Sequence, residues 1–412
     1  MDREVTSGMD ESTANFGDDR TIGRRLRRVR TARGKTLEVI AGLAGISAAH
    51  LCRLENGERA LDRVSLIVAL ADALQIAPSE LTSLPIPAPA NGHTDSSIEA
   101  IRLALDAIEI DHPGGLVLPV AVLRDRVTQI HAQLRSSQFV EVATGLPGLI
   151  RDLHTTLATG ADHGELLALA VYLHVHVTRR WLSVAVAPAD LMRRTVFLAR
   201  RLAQEHGAVT MLGMAGFAVA DTLLWGGAFE PGRAELDALT LPPTTADTAG
   251  LVCWLTSTHG LVAVLEGRPN DAAAPMETTA EIAGRFGATG EADALGIVFG
   301  PTDVGVVRMG QSLESGEPDR VVSIAQDVDP QRHPFPAIQT CYWENYGRAL
   351  AQLRRRDDDA VRALRTAEDL YPTRVRRDPF VRETLTELLT RAKPDAVGRE
   401  LRGLAYRAGL PV

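Results

Sequence analysis

The chain has 412 residues, 45% of them hydrophobic but only 4% aromatic, and a formal net charge of −8. Its length exceeds that of one small module and predicts at least two domains, while no apolar run reaches membrane-spanning length, so a cytoplasmic location is expected. The three cysteines, Cys52, Cys253 and Cys341, lie far apart without paired spacing, which argues against a disulfide framework and a thiolate zinc site.

Residues 1–20 carry two arginines against six acids in a polar, aperiodic stretch and are expected to be a disordered acidic tail. A cluster of short amphipathic helices then begins. Thr21-Ile22 opens the first, with Ile22, Leu26 and Val29 as its inward stripe and a surrounding set of arginines expected to be a solvated face. Thr36 caps a second helix whose apolar residues Leu37, Ile40, Ala41 and Ala44 recur at helical spacing. Gly45 ends it, as a turn needing an unhindered backbone requires. Ser47 then caps a third helix with Leu51 and Leu54 on one face, closed by Asn56-Gly57. Leu51, Leu54, Ile46 and Leu43 are expected to be core. Residues 61–76 supply a fourth apolar-periodic segment and Pro78-Ser79-Glu80-Leu81 a fifth helix.

Charge is segregated along the chain. Residues 21–85 hold nine Arg and one Lys against six acids, a balance of +4, whereas residues 86–412 carry −8. A basic head on an acidic body orients a polyanion toward the head.

Two short helices joined by a turn of this length match the motif whose second helix enters the major groove of DNA. With Ala44-Gly45-Ile46-Ser47, Leu51-Cys52-Arg53-Leu54-Glu55-Asn56-Gly57 and Leu70-Ala71-Asp72-Ala73-Leu74 in place, residues 21–84 resemble the phage-repressor and Cro-like, or XRE, family of regulators. Two positions depart from it. Leu37 stands where the family often has a DNA-touching Gln, and Asp62-Arg63 stands where it often has Pro-Ser before the fourth helix, an exchange expected to swap one helix cap for another.

Residues 85–96, PIPAPANGHTDS, read as a linker that cannot be helical throughout. From 97 to 412 apolar residues recur at three- and four-residue spacings with no period-two alternation, so the fold class is all-α. Helices are expected in pairs. Gly347, Leu350, Ala360, Leu364, Ala367 and Pro372 fall at tetratricopeptide offsets, as do Gly260, Ala263, Gly267, Ala272 and Met276, and Gly316, Val321 and Ala325. Small residues at these places let paired helices approach closely, and three such units in tandem predict a tetratricopeptide-like superhelix over 97–412 that senses and dimerises. The whole layout, with Phe299-Gly300-Pro301-Thr302-Asp303-Val304 and Leu401-Arg402-Gly403-Leu404-Ala405, resembles actinobacterial XRE regulators with a degenerate tetratricopeptide-like sensor domain.

On the family register, Ser47, Ala48, Ala49, His50 and Arg53 project from the start of the recognition helix. Arg53 suits guanine, and the alanines suit thymine methyls. Thr36 and Ser47 are better placed for phosphates, with Asn56, Arg59 and Lys35 adding phosphate contacts. In the body, Trp254, Asp303, Asn345 and Arg348 are expected to face the concave side, where together they suit a small polar-apolar ligand or a short peptide. The bland alternatives are a core tryptophan and an Asp303 that only caps the helix after Pro301. Trp225, Trp343 and Tyr346 are expected to be packing residues. His174 and His176, two apart, point to different helix faces and suggest no metal site. No cofactor motif and no catalytic constellation is present in the sequence.

The sequence therefore predicts a regulator, not an enzyme. It would act as a homodimer on an inverted-repeat operator in double-stranded DNA, with half-sites about 34 Å apart. The rival reading is a protein-interaction adaptor whose repeat groove binds a partner while DNA binding is constitutive.

Overall fold

A computed structural model describes residues 21–82, 92–287 and 292–412. The expected acidic tail at 1–20 and most of the linker lie outside them. Every regular element among the described residues is helical. The head comprises α1 (Ile22–Ala32), α2 (Leu37–Leu43), α3 (Ala48–Glu55), α4 (Val64–Leu74) and α5 (Pro78–Thr82). The body opens with α6 (Gly92–Glu109), whose start lies inside the stretch read as linker, followed by α7 (Val120–Arg135) and α8 (Phe139–Leu157). Next, α9 (His163–Tyr172) runs through a π-helical turn at Leu173–Thr178 into α10 (Arg179–Val184). Then come α11 (Ala189–His206), α12 (Val209–Trp225), α13 (Phe229–Asp237), α14 (Ala249–Leu265) and α15 (Ala273–Phe286). The chain ends with α16 (Pro301–Glu314), α17 (Pro318–Asp327), α18 (Pro336–Gln352), α19 (Asp357–Leu370), α20 (Pro372–Arg377), α21 (Pro379–Leu389) and α22 (Ala396–Arg407).

Local chemistry sets the head. Thr21, Thr36 and Ser47 each accept a hydrogen bond from a first-turn amide (Arg24, Val39 and His50), satisfying donors that a helix start leaves open. Gly45 has φ +70°, the left-handed conformation that the turn between α2 and α3 requires. Ile22, Leu26, Ile40, Leu51, Leu54, Ile67, Leu70 and Leu81 form the sealed core. At Gly23 a Cβ would stand 2.1 Å from the carbonyl oxygen of Leu54, so α1 lies directly on the end of α3.

Two expectations for the head fail. Leu43 is 67% exposed, because it sits roughly a third of a turn off the Leu37, Ile40, Ala41 and Ala44 stripe. The arginines of α1 are not uniformly solvated: Arg25 is only 3% exposed and donates through Nε to the Leu81 carbonyl. Arg30 grips Glu55 with two bonds of 2.6 and 2.7 Å, and Arg33 reaches the Leu74 carbonyl. Three of the arginines thus tie α1 to the rest of the head.

In the body, consecutive helices pack on one another, including α11 on α12, α14 on α15, α16 on α17 and α18 on α19. Small residues sit at the crossings. A Cβ at Gly347 would approach Leu364 Cγ to 2.8 Å and the Ala360 carbonyl to 3.4 Å, and one at Gly260 would come within 3.3 Å of Met276 Cγ. One apolar core runs from α6 to α16 and a second joins α18 to α22. Trp343 and Tyr346 pack with Tyr342 as expected, whereas Trp225 is largely exposed.

Candidate nucleic-acid interface

The outer face of α3 carries Ala49, Arg53 and Asn56 at i, i+4 and i+7, so they form one stripe, and all three are exposed. Ser47, Thr36 and Lys35 are exposed beside it, while Ala48, His50 and Arg59 are partly buried. Leu51 and Leu54 on the opposite face are sealed in the core. Among the described residues, the Arg53 guanidinium has no ion pair or side-chain hydrogen bond. Glu55, a neighbour that would compete for it, is held by Arg30. Asn56 accepts a 3.3 Å bond from Arg27, and Arg59 lies 3.5 Å from Glu387.

His50, Arg53, Arg59 and Arg63 line a cleft of about 340 Å³ between the head and the body, closed on the body side by Gly316 and Gln352. Burial, followed by the charges of Arg53, Arg63 and Arg59, lowers the His50 pKa, so its ring is neutral near pH 7. It therefore offers one donor and one acceptor rather than a charge.

The head is seated on the body through buried acids that serve its backbone. Glu314, at the end of α16, accepts from the amides of Val64 (3.0 Å) and Ser65 (2.7 Å) and from the Ser65 hydroxyl (2.6 Å). Arg63, the N-cap of α4, makes no side-chain cap bond, so the cap absent at Asp62-Arg63 is supplied from 249 residues away. A carboxylate also suits the positive end of the helix dipole. Glu383 of α21 accepts from the Ile22 amide at the start of α1, and burial pushes its pKa up to about 7. Glu387, one turn further on, accepts from the Ala60 amide at 2.9 Å. In the opposite sense, Arg348 of α18 donates to the Asp62 carbonyl at 2.7 Å and to its carboxylate at 3.3 Å. Sequence reading missed the three glutamates.

A family profile described as "Helix-turn-helix domain" matches residues 21–84. Residues 21–84 form a helix-turn-helix DNA-binding domain. The match includes none of the body helices. No curated protein and no solved structure matches the chain.

The residues expected to hold a ligand do not meet in one place. Trp254, 7% exposed, stacks on Phe217 at 4.5 Å and lies under the Arg180 guanidinium at 5.3 Å. Asp303 accepts from the Gly300 amide at 2.9 Å, the capping role its position after Pro301 suggested, and pairs with His333 at 3.3 Å. It too lies within Coulombic reach of Arg180. Arg348 is committed to Asp62 in the head–body joint, and Asn345 faces Gly310 between α16 and α18. Register explains the split: Trp254 and Asp303 fall on the inner side of α14 and α16, whereas Arg348 falls on the side of α18 that meets the head.

The π-helical turn carries two histidines into separate surroundings. His174 Nε2 lies 2.9 Å from His154 Nε2, a spacing that needs at least one neutral ring, and burial lowers the His154 pKa to about 4 and that of His174 well below its usual value. His176 packs between Tyr172 and Trp254, with ring centres 4.4 and 5.6 Å away. Among the described residues no group of three or more His, Cys, Asp or Glu side chains is gathered as a metal site needs.

Proposed function

We propose that the chain is a sequence-specific transcriptional regulator that reads an inverted-repeat operator as a homodimer. A small molecule or short peptide held by its tetratricopeptide-like body changes its affinity for DNA. The observation that carries the DNA-reading half is the exposed stripe of α3, where Arg53 has no protein partner to compete with a guanine. In this reading Ala48 and Ala49 meet thymine methyls, His50 meets a base edge, and Thr36, Ser47, Lys35, Asn56 and Arg59 hold phosphates. No single helix among the described residues is long and apolar enough to cross a membrane.

The regulatory half rests on the joint. Glu314, Glu383 and Glu387 attach body helices to the starts of α1 and α4 and to the loop before α4, so a shift within the body moves the head as a unit. The body then acts by population shift: a ligand that prefers one arrangement of the helices changes the spacing of the two heads. The operator, the effector and the sign of the response follow from experiment.

The test is fluorescence anisotropy on DNA from the region upstream of the protein's own gene, with and without extract of the producing culture. Saturable binding that extract strengthens or releases supports both halves. Saturable binding indifferent to extract removes the effector and leaves a constitutive regulator or a partner-dependent adaptor. A protein that sediments as a monomer both free and on DNA ends the homodimer.

A further inference from the structure

Two arginines of the body, Arg180 and Arg135, lie over aromatic rings and pair with no acid among the described residues. Arg180, four residues past His176 and just beyond the π-helical turn, makes no hydrogen bond or ion pair among the described residues, although it is only partly accessible. The two carboxylates within its electrostatic reach are already engaged: Asp221 with Arg179 at 2.7 Å, and Asp303 with the Gly300 amide and His333. Arg135 of α7 is likewise unpaired among the described residues and lies over the Phe335 ring at 4.2 Å. Both charges bear on His131 and Tyr172, so both guanidiniums face one region.

That region is walled by ring faces. Arg180 covers Trp254, Arg135 covers Phe335, and Tyr172 is bonded to His131 at 2.7 Å. His176, 0% exposed, stands among them with neither ring nitrogen in hydrogen-bonding geometry to any described group, although the Leu295 backbone lies close enough to favour its charged form. A buried imidazole with no well-formed hydrogen bond and a partly buried cation without an acid are each costly in a folded protein. They occur together at a π-helical turn and between aromatic faces, where functional groups are often found.

We infer that Arg180 and His176 form the polar end of a binding site for a small organic monoanion, a carboxylate or its equivalent, whose aromatic or apolar body lies against Trp254 and Tyr172. The inference rests on the regulator reading and names its effector class. With Arg135 turned onto the Phe335 ring, the Arg180 guanidinium beside a neutral imidazole matches a single negative charge with one further hydrogen bond, and the surrounding rings match an unsaturated body.

The test uses the full-length protein and isothermal titration calorimetry with benzoate and indole-3-acetate, each against its neutral amide. The expected result is a carboxylate that binds about tenfold or more tightly than its amide, with that preference lost in Arg180→Met and partly kept in Arg180→Lys. Because no acid loses a partner, R180M is expected to melt at or above the wild-type temperature. Equal binding of carboxylate and amide, no binding of any carboxylate, an unchanged preference in R180M, or an R180M that melts well below wild type each overturns the site. Anisotropy on DNA is run in parallel. A carboxylate that binds through Arg180 but leaves DNA affinity unchanged supports the site and refutes only its role as effector.

Discussion

Replacing Glu314 with Ala tests whether the body really caps the head. The substitution strips the acceptor from the first two amides of α4, Val64 and Ser65, and from the Ser65 hydroxyl. A hydrogen bond to a charged group contributes about 1.5–3 kcal/mol, and loss of an N-cap costs about 0.5–2 kcal/mol. These describe overlapping contacts, so E314A is expected to ease local opening at the start of α4 by about 2–3 kcal/mol. Amide hydrogen exchange at Val64 and Ser65 then quickens by roughly 30- to 150-fold, since each 1.4 kcal/mol is a factor of ten. Glu314→Gln keeps one acceptor oxygen and should show about half the free-energy effect. Exchange in the body core, for example at Leu166 and Val196, should not change, which separates loss of a joint from general destabilisation. Unchanged exchange at Val64 and Ser65 in E314A would refute the cap supplied from the body.

Three further outcomes follow from buried groups. Glu383 ionises near 7 in the fold but near 4.5 when exposed, so its contribution to stability is complete below pH 4.5 and fades as pH rises through 7. Urea denaturation should therefore show E383Q gaining on wild type between pH 5 and 8, and a pH-independent difference would contradict the burial of this carboxyl. His154 has the opposite sign: held neutral down to about pH 4, it favours folding fully above 6.5 and progressively less as pH falls toward 4. The acid-side loss should be shallower in His154→Asn, and equal slopes would mean that the pair with His174 is not buried in solution. At Gly23 a Cβ meets backbone and not a flexible side chain, so Gly23→Ala should destabilise the head by about 1–3 kcal/mol in thermal unfolding despite the better helix propensity of alanine. A G23A that melts like wild type would refute the close contact of α1 with α3.

What was legible in the sequence was what local chemistry decides. Thr36, Gly45 and Ser47 sit within a dozen residues and fix α2, the turn and α3 by caps and one left-handed glycine, so the helix-turn-helix and the exposure of Ser47, Ala49 and Arg53 could be read directly, whereas Ala48 and His50, expected beside them, are partly buried. The close approach at Gly347 was legible because small residues at fixed offsets mark a helix crossing. The joint was not legible. Glu314 reaches a helix start 250 residues earlier and Glu383 one 361 residues earlier, and no spacing rule joins positions that far apart. The exchange at Asp62-Arg63 was visible, but its compensation lay in another domain. The π-helical turn was hidden because packing, not composition, inserts it, and with it went the register that would have singled out Arg180. Of the four residues expected to hold a ligand, Trp254 lies under Arg180 at 5.3 Å, Asp303 caps its own helix and Arg348 serves the joint.

The most direct test of the account is selection of bound duplexes from a random-sequence DNA pool by the wild-type protein and by Arg53→Ala. The account predicts that wild type enriches an inverted repeat with half-sites about one helical turn apart. It also predicts that R53A binds the winning sequence about 1–3 kcal/mol more weakly and accepts other bases at one position of each half-site. Enrichment of no sequence by wild type, or an R53A whose loss is uniform across all sequences, would contradict the claim that α3 reads DNA through Arg53.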